Sequence, residues 1–160
     1  MKKRVLILCT GNSARSQMAE GLLKHDAGDH SEVESAGTRP GHVRPEAIAV
    51  MKELGIDISG HRSKHVQDFE RESFDYVLTV CDNAKESCPI WPGQPIIAHW
   101  GSPDPAAFEG SDEEKLQKTW QVAMQIQRRL DLFCSLPLEK MERLKLAHAV
   151  GDIGRGEQSV

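Results

Sequence analysis

The sequence has few aromatics, 5% of 160 residues with one tyrosine, and it lacks long apolar runs, basic clusters and closely paired cysteines. No apolar stretch approaches the length that spans a bilayer, which excludes a transmembrane helix. The run Val5-Leu6-Ile7-Leu8 behind Lys2-Lys3-Arg4 is too short for a secretory leader. Beyond that opening trio there is no basic run, and the formal net charge is −4, which argues against a nucleic-acid or membrane surface. The four cysteines, Cys9, Cys81, Cys88 and Cys134, form no Cys-x-x-Cys pair, so neither a zinc knuckle nor a thioredoxin-type motif is spelled out. The seven histidines show no ligand-spaced pair on a helix, and no metal site is expected. There is no Gly-x-x-x-x-Gly-Lys loop, no internal repeat and no low-complexity linker. A cytoplasmic, single-domain protein remains, expected as a monomer, and in that compartment cysteines serve catalysis more often than stapling.

What is present concentrates at Cys9-Thr10-Gly11-Asn12-Ser13-Ala14-Arg15-Ser16, between an apolar strand signal and a helical pattern. Gly11 permits backbone conformations in which successive amides converge on an anion. The helix that follows adds its positive end, and Arg15 offers a planar fork for two oxygens. The same surroundings are expected to lower the pKa of Cys9 and favour its nucleophilic thiolate. The stretch reads as a thiol seated beneath a tetrahedral oxyanion. For Asn12 and Ser13, turn chemistry and a specific role are compatible, because a loop that cradles an anion must itself be held.

The remaining pattern alternates strands and helices. Strands are expected at 4–8, 32–36, 76–80 and 96–99. Helices are expected over 16–27 and from Pro45 to Leu54, each closed by a glycine. Residues 57–71 read as loop with short helical turns. Ser111 and Glu114 form a capping box for a long helix to about Cys134, with Leu116, Trp120, Ala123, Leu130 and Phe133 inward and Cys134 itself in the core. Pro137 breaks that helix, 138–149 is a further amphipathic segment, and the glycines at 151, 154 and 156 predict fraying. Trp91, Trp100 and Trp120 read as packing residues. The fold class is α/β, a doubly wound parallel sheet of about four strands flanked by helices over 1–136, with a C-terminal helical extension at 137–160. If the strands are parallel, Cys9, Cys81 and Asp104 share one end of the sheet, where such folds bind ligands.

Each candidate has a plainer reading. A lone cysteine ending a strand is usually buried packing, but the spacing to Arg15-Ser16 favours chemistry for Cys9. An isolated Asp-Pro is usually a solvated loop; near a thiolate and an anion, Asp104 becomes a proton donor to a leaving oxygen. Were 81–88 helical, Cys81 and Cys88 would lie about 10 Å apart at roughly 1.5 Å per residue, beyond the ~7 Å reach of a disulfide. Pro89, Pro92 and Gly93 suit a looped segment that closes the gap. Two structural thiols, or a zinc site with His99, are the competing readings.

The pattern Cys-x5-Arg-Ser at 9–16 resembles the active-site loop of the low-molecular-weight protein tyrosine phosphatases, and Asp104-Pro105 falls where that fold carries its general acid. The whole set is similar to the thioredoxin-coupled arsenate reductases of that family. The matching segments are 9–21, Ser35-Ala36-Gly37, 51–59, Val80-Cys81, Cys88-Pro89-Ile90 and His99-Trp100-Gly101 leading into Asp104-Pro105-Ala106. This resemblance implies that Cys9, Arg15, Cys81, Cys88 and Asp104 are catalytic. It implies an oxyanion bound by Thr10, Gly11, Asn12, Ser13, Ala14, Arg15 and Ser16, with arsenate as substrate, phosphate or sulfate as competitors, no bound cofactor and thioredoxin as electron donor. Asn12, Ser16, Glu20, Ser35 and Lys64 are implied as supporting residues. Some members bind potassium through residues matching Asn12, Glu20 and Ser35 plus an aspartate; here Lys64 stands in the aspartate's place, and its ammonium is expected to replace the cation. Two departures are Ala14, where many relatives carry another cysteine, and Ala106-Ala107 after Asp104-Pro105, where phosphatases often carry aromatics. A phosphatase that hydrolyses phosphate monoesters through phosphocysteine is the alternative.

Overall fold

The fold begins from apolar runs that satisfy their backbones by pairing side by side. The computed structural model describes residues 2–81, 91–138 and 141–156. Strand β1 (Lys3–Cys9) pairs in parallel with β2 (Ser31–Gly37) on one side and β3 (Tyr76–Thr79) on the other, and β4 (Ile96–His99) adds to β3. The order β2-β1-β3-β4 makes a four-stranded sheet. Val5 to Cys9 and all of β3 are buried, as expected of strands covered on both faces.

Helix α1 (Arg15–Ala27) follows the loop after β1 and packs on β1, β2 and the long helix α3 (Asp112–Ser135). Met18, Ala19, Leu22 and Leu23 are its buried apolar residues. Helix α2 (Pro45–Glu53) starts with proline at its first position, where the missing N–H costs nothing. The capping box opens α3: Ser111 Oγ accepts from the Glu114 amide at 3.2 Å, and Glu114 Oε1 accepts from the Ser111 amide at 3.1 Å. A 3-10 turn at Val66–Phe69 is the helical piece within the loop expected at 57–71.

Three expectations are corrected. Cys134 is exposed rather than core, because it sits one step, about 100° of helical rotation, past the buried Phe133. Leu116 lies at the outer edge of α3, 38% exposed, and Arg129 instead occupies the inward face with Ile126, Leu130 and Phe133. The third concerns the C-terminus: helix α4 (Arg143–Gly156) runs through all three glycines instead of fraying at the first. Glycine is used there for close approach, since a Cβ on Gly154 would lie 2.2 Å from the His99 carbonyl oxygen in β4.

Candidate active site

The strand order reverses between β1 and β3, so their carboxyl ends open the crevice in which parallel sheets bind ligands. Cys9 is the last residue of β1. Leu8 is paired with Thr79, and the Val80 amide extends the pairing by donating to the Leu8 carbonyl at 2.8 Å. Cys81 therefore leaves β3 directly beside the loop that Cys9 begins.

That loop is turned inside out by its neighbours. The carbonyls of Thr10, Gly11 and Ser13 accept from the backbone amides of Arg39 at 2.8 Å, Gly41 at 3.1 Å and Arg44 at 2.8 Å. In a trans peptide the next residue's N–H points opposite to the carbonyl. The amides of Gly11, Asn12 and Ala14 thus face away from 39–44, that of Gly11 toward Cys9, as in a nest for an anion. Asn12 makes the turn at φ +49°, a left-handed conformation that asparagine tolerates better than most residues. Its fully buried side chain holds the turn from four directions. Nδ2 donates to Ser16 Oγ and Ser35 Oγ, both at 2.8 Å, while Oδ1 accepts from Gln17 Nε2 at 2.9 Å and the Lys64 amide at 2.8 Å. Gly37 presses on the loop from β2; a Cβ there would sit 2.4 Å from the Thr10 carbonyl oxygen.

Cys9 and Cys81 are both buried, and the Cys81 sulfur lies 3.2 Å from Thr10 Oγ1, beside the nucleophile's loop. The Cys81 thiol and burial push the Cys9 thiol well above its ordinary pKa, against the downward pull of Arg15 and the Gly11 amide. This reverses the lowered value expected from the loop: the cradle acts as anticipated, but the second sulfur outweighs it. Arg15 is 8% exposed. Its Nη1 donates to the Ser102 carbonyl at 3.0 Å, and its Nη2 lies 3.6 Å from the Asp104 carboxylate. Asp104 itself is half-exposed, at the mouth of the crevice.

Behind the loop, Glu20 is buried among donors. Its Oε1 accepts from Ser35 Oγ at 2.6 Å and Lys64 Nζ at 3.0 Å, and its Oε2 from Lys24 Nζ at 2.9 Å. Burial works to raise its pKa, but the Ser35 and Lys24 hydrogen bonds and the Lys64 charge outweigh it and hold the carboxyl below its ordinary value. His61 Nδ1 stands 3.3 Å from Glu20 Oε2 and 3.1 Å from Gln17 Oε1. Burial holds His61 below its ordinary pKa despite the carboxylate.

The sequence that builds this thiol, nest and arginine after the first strand of a 2-1-3-4 parallel sheet matches a family model. The model, "Low molecular weight phosphotyrosine protein phosphatase", aligns with residues 4–143. The chain belongs to this phosphatase family. Among its relatives, an arsenate reductase of Halalkalibacterium halodurans is 44% identical over 132 residues, 82% of this chain and 95% of the relative. A solved arsenate reductase in the phosphate-binding state superposes with a TM-score of 0.70 at 36% identity, covering 81% of this chain and 94% of the other. A thioredoxin-dependent arsenate reductase of Corynebacterium glutamicum gives 0.58 at 29% identity, covering 82% of this chain and 63% of the other.

Of the residues singled out in the sequence, the structure brings Cys9, Arg15, Cys81 and Asp104 to one crevice, with Thr10 to Ser16 forming its floor. Asn12, Ser16, Glu20, Ser35 and Lys64 form one connected network beneath the phosphatase-family loop. Cys88 lies outside the described residues. Sequence reasoning missed Ser63, whose Oγ donates to the Asn12 carbonyl at 2.7 Å, and Gln17 and Ser102. Gln17 stands directly after the Arg-Ser pair, and that adjacency was the available signal; the structure buries it completely.

Proposed function

We propose that the chain reduces arsenate to arsenite by a three-thiol cycle. Arsenate is a tetrahedral oxyanion that the loop amides and Arg15 can hold by their donors. The Cys9 thiolate attacks arsenic, and Asp104 in its protonated form delivers a proton to the oxygen that leaves as water. Cys81 then attacks the Cys9 sulfur; the sulfur–arsenic bond breaks, its electron pair stays on arsenic, and arsenite departs from a Cys9–Cys81 disulfide. Attack by Cys88 on Cys81 frees Cys9 and leaves a Cys81–Cys88 disulfide, which thioredoxin reduces. Such a cycle belongs in a compartment where thiols are kept reduced, the cytoplasm. The largest upward push on the Cys9 thiol comes from Cys81, and burial adds to it. Once Cys81 moves off, that push is gone, and Arg15 and the Gly11 amide favour the thiolate against burial alone.

The observation that carries this reading is the placement of Cys81 beside the loop that Cys9 begins: the Val80 amide donates to the Leu8 carbonyl at 2.8 Å, and the Cys81 sulfur lies 3.2 Å from Thr10 Oγ1. Hydrolysis through phosphocysteine has no use for a second sulfur against the nucleophile. The relatives' names point the same way, one being a thioredoxin-dependent arsenate reductase. Hydrolysis of phosphate monoesters remains the second reading, favoured by the family and by the Cys9–Arg15–Asp104 set. Arsenate-dependent NADPH consumption with thioredoxin and its reductase separates them. Cys81→Ser and Cys88→Ser should each abolish arsenate turnover and spare any phosphatase activity. Normal arsenate turnover by both variants would end the redox cycle as an explanation. We further propose that the Lys64 ammonium occupies the role potassium plays in some family members, since it already neutralises Glu20 and its amide holds Asn12.

A further inference from the structure

Helix α4 lies almost entirely beyond residue 143, where the match to the family model ends, and nothing in the cycle above uses it. Its anchorage, however, leads back to the oxyanion site. Trp100 Nε1 donates to the Val150 carbonyl at 2.9 Å, and Gly154 lies against His99 so closely that no side chain fits between them. Arg129, 1% exposed in α3, joins this helix to the chain after β4. Its Nη2 faces the Gly154 carbonyl at 3.4 Å; its Nη1 donates to the Gly101 carbonyl at 2.9 Å and stands 3.4 Å from Ser102 Oγ. The carbonyl of that same Ser102 accepts from Arg15 Nη1 at 3.0 Å, and two residues later comes Asp104, beside Arg15 Nη2. One short turn thus has a guanidinium on each side. On one flank is the fork that would meet the anion, on the other a buried fork braced against α4.

We infer that Arg129 is a positioning residue for the oxyanion site and that α4 is the abutment it works against. The inference rests on the reading of Arg15 as the anion's fork. A buried guanidinium is costly unless several of its donors are used in fixed directions, and a lysine could not span the Gly101 and Gly154 carbonyls at once. With both carbonyls held, the Ser102 carbonyl cannot swing, and Arg15 presents its fork at one angle. Release of the turn lets Arg15 follow it, and the anion meets a fork that must first be reoriented.

Inorganic phosphate is the probe, because its binding is read without turnover. In Arg129→Met the phosphate Kd should rise about tenfold, the worth of one hydrogen bond to a charged group. The arsenate KM should rise alongside while kcat stays within about twofold, and Arg129→Lys should recover part of the loss. A folded Arg129→Met chain that binds phosphate as the wild type does overturns the inference. Should that variant fail to fold, Gly154→Ala pushes α4 away from His99 without touching either arginine. A weaker phosphate Kd at temperatures well below its melting point supports the inference; a lower Tm with unchanged Kd makes α4 a structural prop only and overturns it. A wild-type chain that binds phosphate but leaves arsenate unreduced would sink the reductase reading alone. A wild type that binds no phosphate removes the premise about Arg15 and the inference with it.

Discussion

Replacement of Asn12 tests whether the loop is held from behind. Asn12→Ala removes four buried side-chain hydrogen bonds, at 2.8, 2.8, 2.9 and 2.8 Å. Their losses are unequal. Ser35 still donates to Glu20, and the Ser16 hydroxyl can rotate, whereas the Lys64 amide is left without an acceptor in the interior. At about 0.5–1.5 kcal/mol per bond, weighted toward the orphaned amide, the side-chain loss comes to about 3 kcal/mol. Alanine also inherits φ +49°, a left-handed conformation that adds roughly 1 kcal/mol. Glycine escapes that second cost. Thermal unfolding of a chain this size shifts by about 2–4 °C per kcal/mol. Asn12→Ala should therefore lower Tm by about 8–16 °C and Asn12→Gly by about 3 °C less. Phosphate affinity should fall in both, because the nest loses its turn. An alanine variant that melts within about 2 °C of wild type would refute the account of the loop. Equal losses for alanine and glycine would refute the part assigned to the backbone.

Two further outcomes follow from the same geometry. Cys81→Ala removes the largest upward push on the Cys9 thiol, so the pH midpoint for Cys9 alkylation, followed by mass spectrometry, should move down; a midpoint that holds or rises would contradict the thiol pair. Lys64 Nζ already sits 3.0 Å from Glu20, so phosphate Kd and Tm should be equal in potassium and sodium chloride at one ionic strength. Lys64→Met should gain a potassium response, and a potassium-specific gain in the wild type would refute the substitution.

Much of this site was legible because its signals are local. Cys9 to Ser16 is contiguous, and the strand–loop–helix setting that gives it meaning is written on either side. The convergence of Cys81 and Asp104 was also legible, since parallel strands place everything after their carboxyl ends at one rim. What could not be read locally depended on neighbours from afar. The pKa of Cys9 follows from a sulfur 72 positions later, and a close thiol reverses the sign that the loop alone suggests. Arg129 looks like an ordinary solvated helix charge, and only its spacing of three from Ile126 and four from Phe133 hints at the buried stripe. The glycines of α4 suggest a dissolving helix until β4 is seen pressed against Gly154.

The pairing of β1 with β3 also bears on how such a site arises. Adjacent strands run about 4.8 Å apart, and the α-carbons of a disulfide lie roughly 4.4–6.8 Å apart. Cys81 comes one residue after Val80, the position opposite Cys9, so the pitch of the sheet brings the two chains within the range that exchanging sulfurs require. In this chain a thiol just past the third strand is enough to place a second sulfur beside the loop of the first. The spacing holds it there. One residue inserted between Thr79 and Cys81 would carry that thiol a step further from the end of β3, leaving the oxyanion cradle intact without its second sulfur.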